Sequence, residues 1–154
     1  MLSKAVTEQI RALMNRYPRK RSALIPSLRL AQEEAGFISH DIVREIAGLF
    51  ELTPNEVNEV VTFYSMFYKK PMGKYIIQVC TNISCMLCNA EDIVAHLSHR
   101  LGIHPGETTS DGRYSLLDVE CLGSCGTSPV IQINDTYYEE LTPQKVDQIL
   151  DSLK

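Results

Sequence analysis

The sequence is marked first by what it lacks. No stretch approaches about 18 consecutive apolar residues, so no segment reads as a membrane-spanning helix. Neither G-x-G-x-x-G nor G-x-x-x-x-G-K-S/T occurs, so the chain shows no phosphate-cradling loop and no nucleotide site of its own. H-E-x-x-H is missing, and no Ser/His/Asp order suggests a nucleophilic triad. There is no internal repeat and no low-complexity tract. A large charge of one sign is absent as well. The formal net charge is −4 over 154 residues, which gives no footprint for nucleic acid or an anionic membrane surface. Met1 to Ile10 lack an apolar secretory core and carry Glu8, so the expectation is a cytoplasmic, reducing setting. Structural disulfides are rare there, and five cysteines, an odd number, fit a paired scheme badly. The cysteines are therefore expected to be metal ligands, nucleophiles or small buried hydrophobes.

What is present divides unevenly. Residues 1–71 hold ten Lys and Arg against eight Asp and Glu, a net of +2; residues 72–154 hold five against eleven, a net of −6. The first part reads as helices. Val6, Ile10, Leu13, Met14 and Tyr17 form an amphipathic stripe that Tyr17-Pro18 ends. Ser22 is the expected cap of a second helix reaching about Ala35, with Gly36 as its stop, and a third helix is expected over Asp41–Phe50. Thr53-Pro54-Asn55-Glu56 combines a capping box with proline at the first helical position. The Val57–Tyr68 run that follows is apolar on more than one face. That pattern suits a buried core helix, or a surface of which part docks on a partner. Lys69-Lys70-Pro71-Met72-Gly73 is the expected boundary between a helical domain, 1–71, and a second domain, 72–154.

The pattern then changes. Strands are expected at Tyr75–Cys80, Tyr114–Glu120, Val130–Asn134 and Tyr137–Leu141, the last two joined at Asp135-Thr136. Ala90, Ile93, Val94, Leu97 and Leu101 mark a helix ending at Gly102. Thr142-Pro143 opens a last helix with Val146, Ile149, Leu150 and Leu153 on one face. The order β-α-β-β-β-α implies an α+β unit, a small sheet with helices against it. His96 and His99, at i and i+3, are expected on a solvated helix face.

Cys80 and Cys121 each end an expected strand, and Cys85 and Cys125 follow in loops, giving C-x4-C and C-x3-C. Two such loops at one sheet edge can gather four thiolates. Gly123 and Gly126 would let the backbone wrap closely and turn N–H groups toward sulfur. Structural zinc is one reading, although its usual signature is the shorter C-x2-C knuckle. A redox dithiol is another, since Cys85-Met86-Leu87-Cys88 is a C-x-x-C before a helix, but it leaves three cysteines unexplained. A [2Fe–2S] cluster takes sulfur-rich ligation and suits longer loops. Cys80, Cys85 and Cys88 even match the first three positions of the plant-type ferredoxin pattern, leaving one cysteine too many.

Beyond spacing, residues 57–154 resemble the small [2Fe–2S] subunit, the E type, of the NADH-oxidising module of respiratory complex I. The likeness lies in Val60–Phe67, Cys80-Thr81-Asn82-Ile83-Ser84-Cys85, Gly102–Glu107, Thr109–Arg113 and Cys121-Leu122-Gly123-Ser124-Cys125. It implies a thioredoxin-like [2Fe–2S] ferredoxin domain behind an N-terminal helical bundle. It also implies Cys80, Cys85, Cys121 and Cys125 as the cluster and metal ligands, with no catalytic residue. By the same resemblance the chain would be a one-electron carrier in NADH:quinone oxidoreductase. It would work beside a subunit that binds FMN and NADH, peripheral to the inner face of the cell membrane, without catalysis of its own. Equivalent subunits occur in NAD-linked hydrogenases and formate dehydrogenases, and a zinc-stabilised interaction module is the reading from another class. Cys88-Asn89 departs from the family pattern, where a non-cysteine often followed by glycine is expected.

Overall fold

The computed structural model describes residues 1–153, and they form two compact units that divide after Pro71. The first contains α1 (Lys4–Met14), α2 (Leu24–Ala35), α3 (His40–Phe50) and α4 (Pro54–Phe63). Local chemistry sets most of the ends. Ser3, Ser39 and Thr53 each accept a backbone N–H at a helix start, the contact that satisfies an otherwise orphaned donor and is worth about 1 kcal/mol. The Thr53–Glu56 capping box is closed in both directions, at 2.9 and 3.3 Å. Ser22 is not the cap of α2: it lies in a 3-10 turn, Lys20–Ala23, where its N–H donates to the Arg19 carbonyl, and Ala23 takes the cap position without a side-chain bond. Gly36 ends α2 at φ 80°. Ile10, Leu28, Ile46, Val57 and Val61 are fully buried at the centre of this unit.

The apolar run after Val57 does not continue as one helix to Tyr68. α4 stops at Phe63, and the Gln32 side chain holds the turn beyond it, donating to the Met66 carbonyl (2.9 Å) and accepting the Tyr68 N–H (2.7 Å). Phe67 is thereby buried, whereas Phe63 is 81% exposed and Tyr64 and Met66 also face solvent.

The second unit is a four-stranded sheet with helices. Its elements are β1 (Tyr75–Cys80), α5 (Ile83–Leu87), α6 (Ala90–Leu101), β2 (Tyr114–Val119), β3 (Ile131–Ile133), β4 (Thr136–Tyr138) and α7 (Pro143–Ser152), and the strand order is β2-β1-β3-β4. β1 pairs parallel with β2, from Tyr75 opposite Tyr114 to Cys80 opposite Val119, and antiparallel with β3. Ile77, Val79, Leu116 and Ile131 from the sheet pack with Leu97 of α6 and Val146 of α7.

Several details differ from expectation, among them the last strand, which ends at Tyr138 and not at Leu141. The hairpin turn is Asn134-Asp135, and Thr136 already pairs with Ile133. Asn134 sits at φ 52°, a left-handed conformation that asparagine tolerates, and its side chain accepts the Ile76 N–H and donates to the Lys74 carbonyl. The turn is thus set by contacts with β1. α5 is an added element, one turn long. His96 is half-buried and lies 2.9 Å from Asp147 across the contact between α6 and α7, beside the Arg100–Asp151 pair, so only His99 keeps a solvated place.

Gly73 fixes how the sheet begins. Its N–H donates to the Ser115 hydroxyl at 2.7 Å, and a Cβ there would lie 2.7 Å from the Tyr114 carbonyl carbon and 2.9 Å from its nitrogen. Backbone atoms cannot rotate away as a side chain can. Gly73→Ala is expected to cost about 1–3 kcal/mol, the range for overpacking, read as a lower urea midpoint; an unchanged midpoint would contradict the tight approach of the two strands.

Candidate metal centre

Parallel strands run the same way, so β1 and β2 release their chains at one sheet edge. There the pairing extends past the strands, with Thr81 donating its N–H (3.0 Å) and hydroxyl (3.2 Å) to the Val119 carbonyl. Cys80 is the last residue of β1 and is buried, its N–H bonded to the Val130 carbonyl at 3.1 Å. Asn82 then caps α5 by accepting the Ile83 N–H (2.8 Å). Cys85 therefore stands within a single helical turn, not in an open loop, and is 2% exposed. Cys88 caps the C-terminus of that turn and is exposed. Asn89 follows at φ 64°, which is the physical reason that glycine would suit this position.

The second loop starts earlier than expected. β2 ends at Val119, so Cys121 lies two residues beyond the strand. Gly123, at φ 75°, turns its N–H back to the Cys121 sulfur at 3.3 Å, and Cys125 opens a 3-10 turn, Cys125–Thr127. Cys121 and Cys125 are exposed. The Tyr137 hydroxyl, on β4, holds the Leu122 carbonyl at 3.0 Å.

Cys80 packs with Cys85, Ala90 and Val130 in one small buried cluster, and its thiol lies near that of Cys121. Burial raises Cys80, but the N–H groups of Asn82 and Leu122 and the two neighbouring thiols outweigh it and hold this thiol below its ordinary value. Cys85 moves the other way. Burial pushes it up, the Cys80 neighbour adds to that, and the Ser128 hydroxyl (3.4 Å) and Val130 N–H only partly oppose it. Two adjacent buried thiols cannot both ionise cheaply without a cation between them, and a metal core removes that conflict. Among the described residues no three His, Cys, Asp or Glu side chains are gathered around a single-ion position. The donors fit a sulfur-rich anionic group: the Gly123 N–H meets the Cys121 sulfur, and the backbone N–H groups of Asn82 and Leu122 favour the thiolate at Cys80 as that of Val130 does at Cys85.

Residues 10–154 match the family model described as thioredoxin-like [2Fe-2S] ferredoxin. The chain belongs to this family. Its cofactor is a [2Fe–2S] cluster, which decides between cluster and zinc in favour of the cluster. The chain is 42% identical over 147 residues to the second E-type subunit of the NADH-quinone oxidoreductase of Rhizobium meliloti, covering 96% of this chain and 88% of that one. It is 46% identical over 136 residues to NADH-quinone oxidoreductase subunit 2 of Thermus thermophilus, covering 88% and 75%. In fold it is similar to a chain of an NAD+-reducing [NiFe]-hydrogenase in its air-oxidised state, with a TM-score of 0.73, 23% identity, and 83% of this chain matched to 22% of that chain.

Ser128, Val130 and Tyr137 could not be picked out as site residues from sequence, whereas Asn82 lies in the stretch Thr81–Ser84 whose N–H groups are expected to face the cluster. Asn82 also carries a signal as a capping residue before a short turn.

The burial contrast has a direct readout in the cluster-free protein. Alkylation followed by peptide mass analysis is expected to label Cys88, Cys121 and Cys125 first and Cys85 last, slower than Cys88 by about tenfold or more, since access governs thiol reactivity. Equal rates at Cys85 and Cys88 would show that the α5 turn does not shield the former.

Proposed function

We propose that this chain carries single electrons on a [2Fe–2S] cluster held by Cys80, Cys85, Cys121 and Cys125. It acts as the E-type subunit of the NADH-oxidising module of NADH:quinone oxidoreductase, next to a subunit bearing FMN and NADH. The observation that carries the ligand reading is the in-register parallel pairing of β1 and β2, after which two cysteine-bearing loops open at one edge with N–H donors turned to sulfur. The assignment to the respiratory complex is supported by the names of relatives matched along most of their length. The hydrogenase likeness, at 23% identity, speaks for the fold alone.

The cluster, when bound, supplies reversible one-electron chemistry. This chain's part is to hold and tune it. Burial of Cys80 and Cys85 keeps water from that side, and the N–H groups offset negative charge on sulfur, so no acid, base or nucleophile is required. Apolar side chains surround the first loop: Ile83 and Leu87 are 65% and 75% exposed, and Met86 lies between them in sequence. That rim suits a protein partner, as does the exposed Phe63, Tyr64 and Met66 group of the helical unit, because aromatic residues and Met are enriched at interfaces. No helix among the described residues is long and apolar enough to cross a membrane. In the proposed role, the chain is held at the inner face of the cell membrane through the complex.

The purified protein is expected to contain about two irons and two acid-labile sulfides per chain, with an EPR signal only after reduction. Serine at Cys80, Cys85, Cys121 or Cys125 should abolish or alter that signal, and Cys88→Ser should not. Equal loss in Cys85→Ser and Cys88→Ser would reassign the first loop.

Calorimetry should detect no tight NADH or FMN binding by the isolated chain, and NADH oxidation should need the flavin-bearing subunit. Alanine at Phe63 and Tyr64 together should weaken co-purification with that subunit by about tenfold or more; undiminished capture would remove the helical unit from the docking surface.

A further inference from the structure

The loop that carries Cys121 and Cys125 is strapped along its length to the segment containing β4. The Tyr137 hydroxyl donates to the Leu122 carbonyl (3.0 Å), the Glu140 N–H to the Thr127 carbonyl (2.7 Å), and the Leu141 N–H to the Pro129 carbonyl (3.2 Å). Between these lies Glu139. One of its carboxylate oxygens accepts from two hydroxyls, those of Ser124 and of Thr127, the second at 2.7 Å. Ser124 precedes Cys125 and Thr127 lies two residues after it, so the carboxylate bridges the two sides of the turn that presents this cysteine. The hydroxyls are also 2.9 Å from each other, and the Thr127 N–H donates to the Ser124 carbonyl at 3.2 Å. The nearby Lys145 ammonium is committed to the Glu139 backbone carbonyl at 2.7 Å. The two hydroxyls hold the carboxyl below its usual range, with Lys145 adding to the effect, so it is anionic at neutral pH.

A carboxylate used in this way does two separable things. Hydrogen bonds to an ionised acceptor are about twice as strong as neutral ones, so the turn is held more firmly than two hydroxyls could hold it alone. Its charge also sits beside a centre that becomes more negative on accepting an electron, and a fixed negative charge there opposes reduction. We propose that Glu139 is a positioning residue for the electron carrier, locking the Cys125 turn and lowering the reduction potential of the cluster held there. The inference rests on Cys121 and Cys125 being ligands.

The test uses the full-length, cluster-loaded protein, with EPR-monitored titration by a chemical reductant and the rate of cluster loss to an iron chelator as its two readouts. Glu139→Gln keeps an acceptor oxygen and removes the charge. It should retain the EPR line shape and shift the midpoint potential upward, which a purely structural role would not do. Glu139→Ala removes charge and acceptor together and should also lose its cluster about tenfold faster, as expected when charge-assisted bonds are broken. Thr127→Val removes one donor and leaves the charge; it should speed cluster loss while moving the potential less than Glu139→Gln does. A parental potential in Glu139→Gln, or parental cluster retention in Glu139→Ala, overturns the proposal. Cys125→Ser separates the two levels: an unchanged EPR signal there would overturn the ligand reading itself. A lost or altered signal beside a parental Glu139→Gln would overturn only the role of Glu139.

Discussion

Everything at the cysteine site depends on the parallel register between β1 and β2, with Cys80 opposite Val119. An antiparallel pair would have sent the two following loops to opposite ends of the sheet. A parallel pair cannot be joined by a tight turn and needs a crossover, here supplied by α5 and α6. The crossover therefore serves two ends at once. Its first turn presents Cys85, and its long helix buries Ile93 and Leu97 against the sheet that positions Cys80. At the other end of the same pair, the absence of a Cβ on Gly73 lets the chain run against the Tyr114 backbone. Register is set at the start of the strands and used at their finish.

The electrostatic design follows from that placement. Two thiols buried side by side are pulled in opposite directions, Cys80 toward the thiolate and Cys85 away from it, because the N–H donors are unevenly shared. A metal core bound by both, as proposed above, would remove the asymmetry, since metal binding favours the thiolate at each ligand. Residues 72–154 carry a net charge of −6, which adds a background opposing reduction. N–H groups at sulfur work against that background. The potential is thus a balance between local donors and surrounding acids, with no single residue deciding it.

Much of this was legible in the sequence, for identifiable reasons. The β-branched run Tyr75–Cys80 and the Gly102 stop of α6 are local signals with local outcomes. So is the Thr53 capping box. The readings that slipped are those in which a distant partner decides. The hairpin turn moved by one residue because Asn134 is held by Ile76 and Lys74, far away in sequence. His96 left solvent because Asp147 lies on the neighbouring helix. The α4 helix ended early because Gln32 captured the chain beyond it. α5, at five residues, is too short to leave any periodicity. The strand order, which decides where the loops open, has no local signature at all.

The surplus cysteine shows why spacing and fold must be read together. By spacing, Cys80, Cys85 and Cys88 form the opening of a plant-type ferredoxin pattern. That pattern presupposes that Cys85 and Cys88 face the same centre. Here Cys85 is within α5, buried against Cys80, Ser128 and Val130. Cys88 is where the turn ends, its N–H bonded back to the Ser84 and Cys85 carbonyls and its surface exposed. The next residue takes a left-handed conformation to begin α6 in a new direction. What separates two cysteines three positions apart is thus the end of a helix. The second loop is delivered to the same sheet edge by β2 and brings Cys121 near Cys80, so the proposed ligand set needs no third cysteine from the first loop.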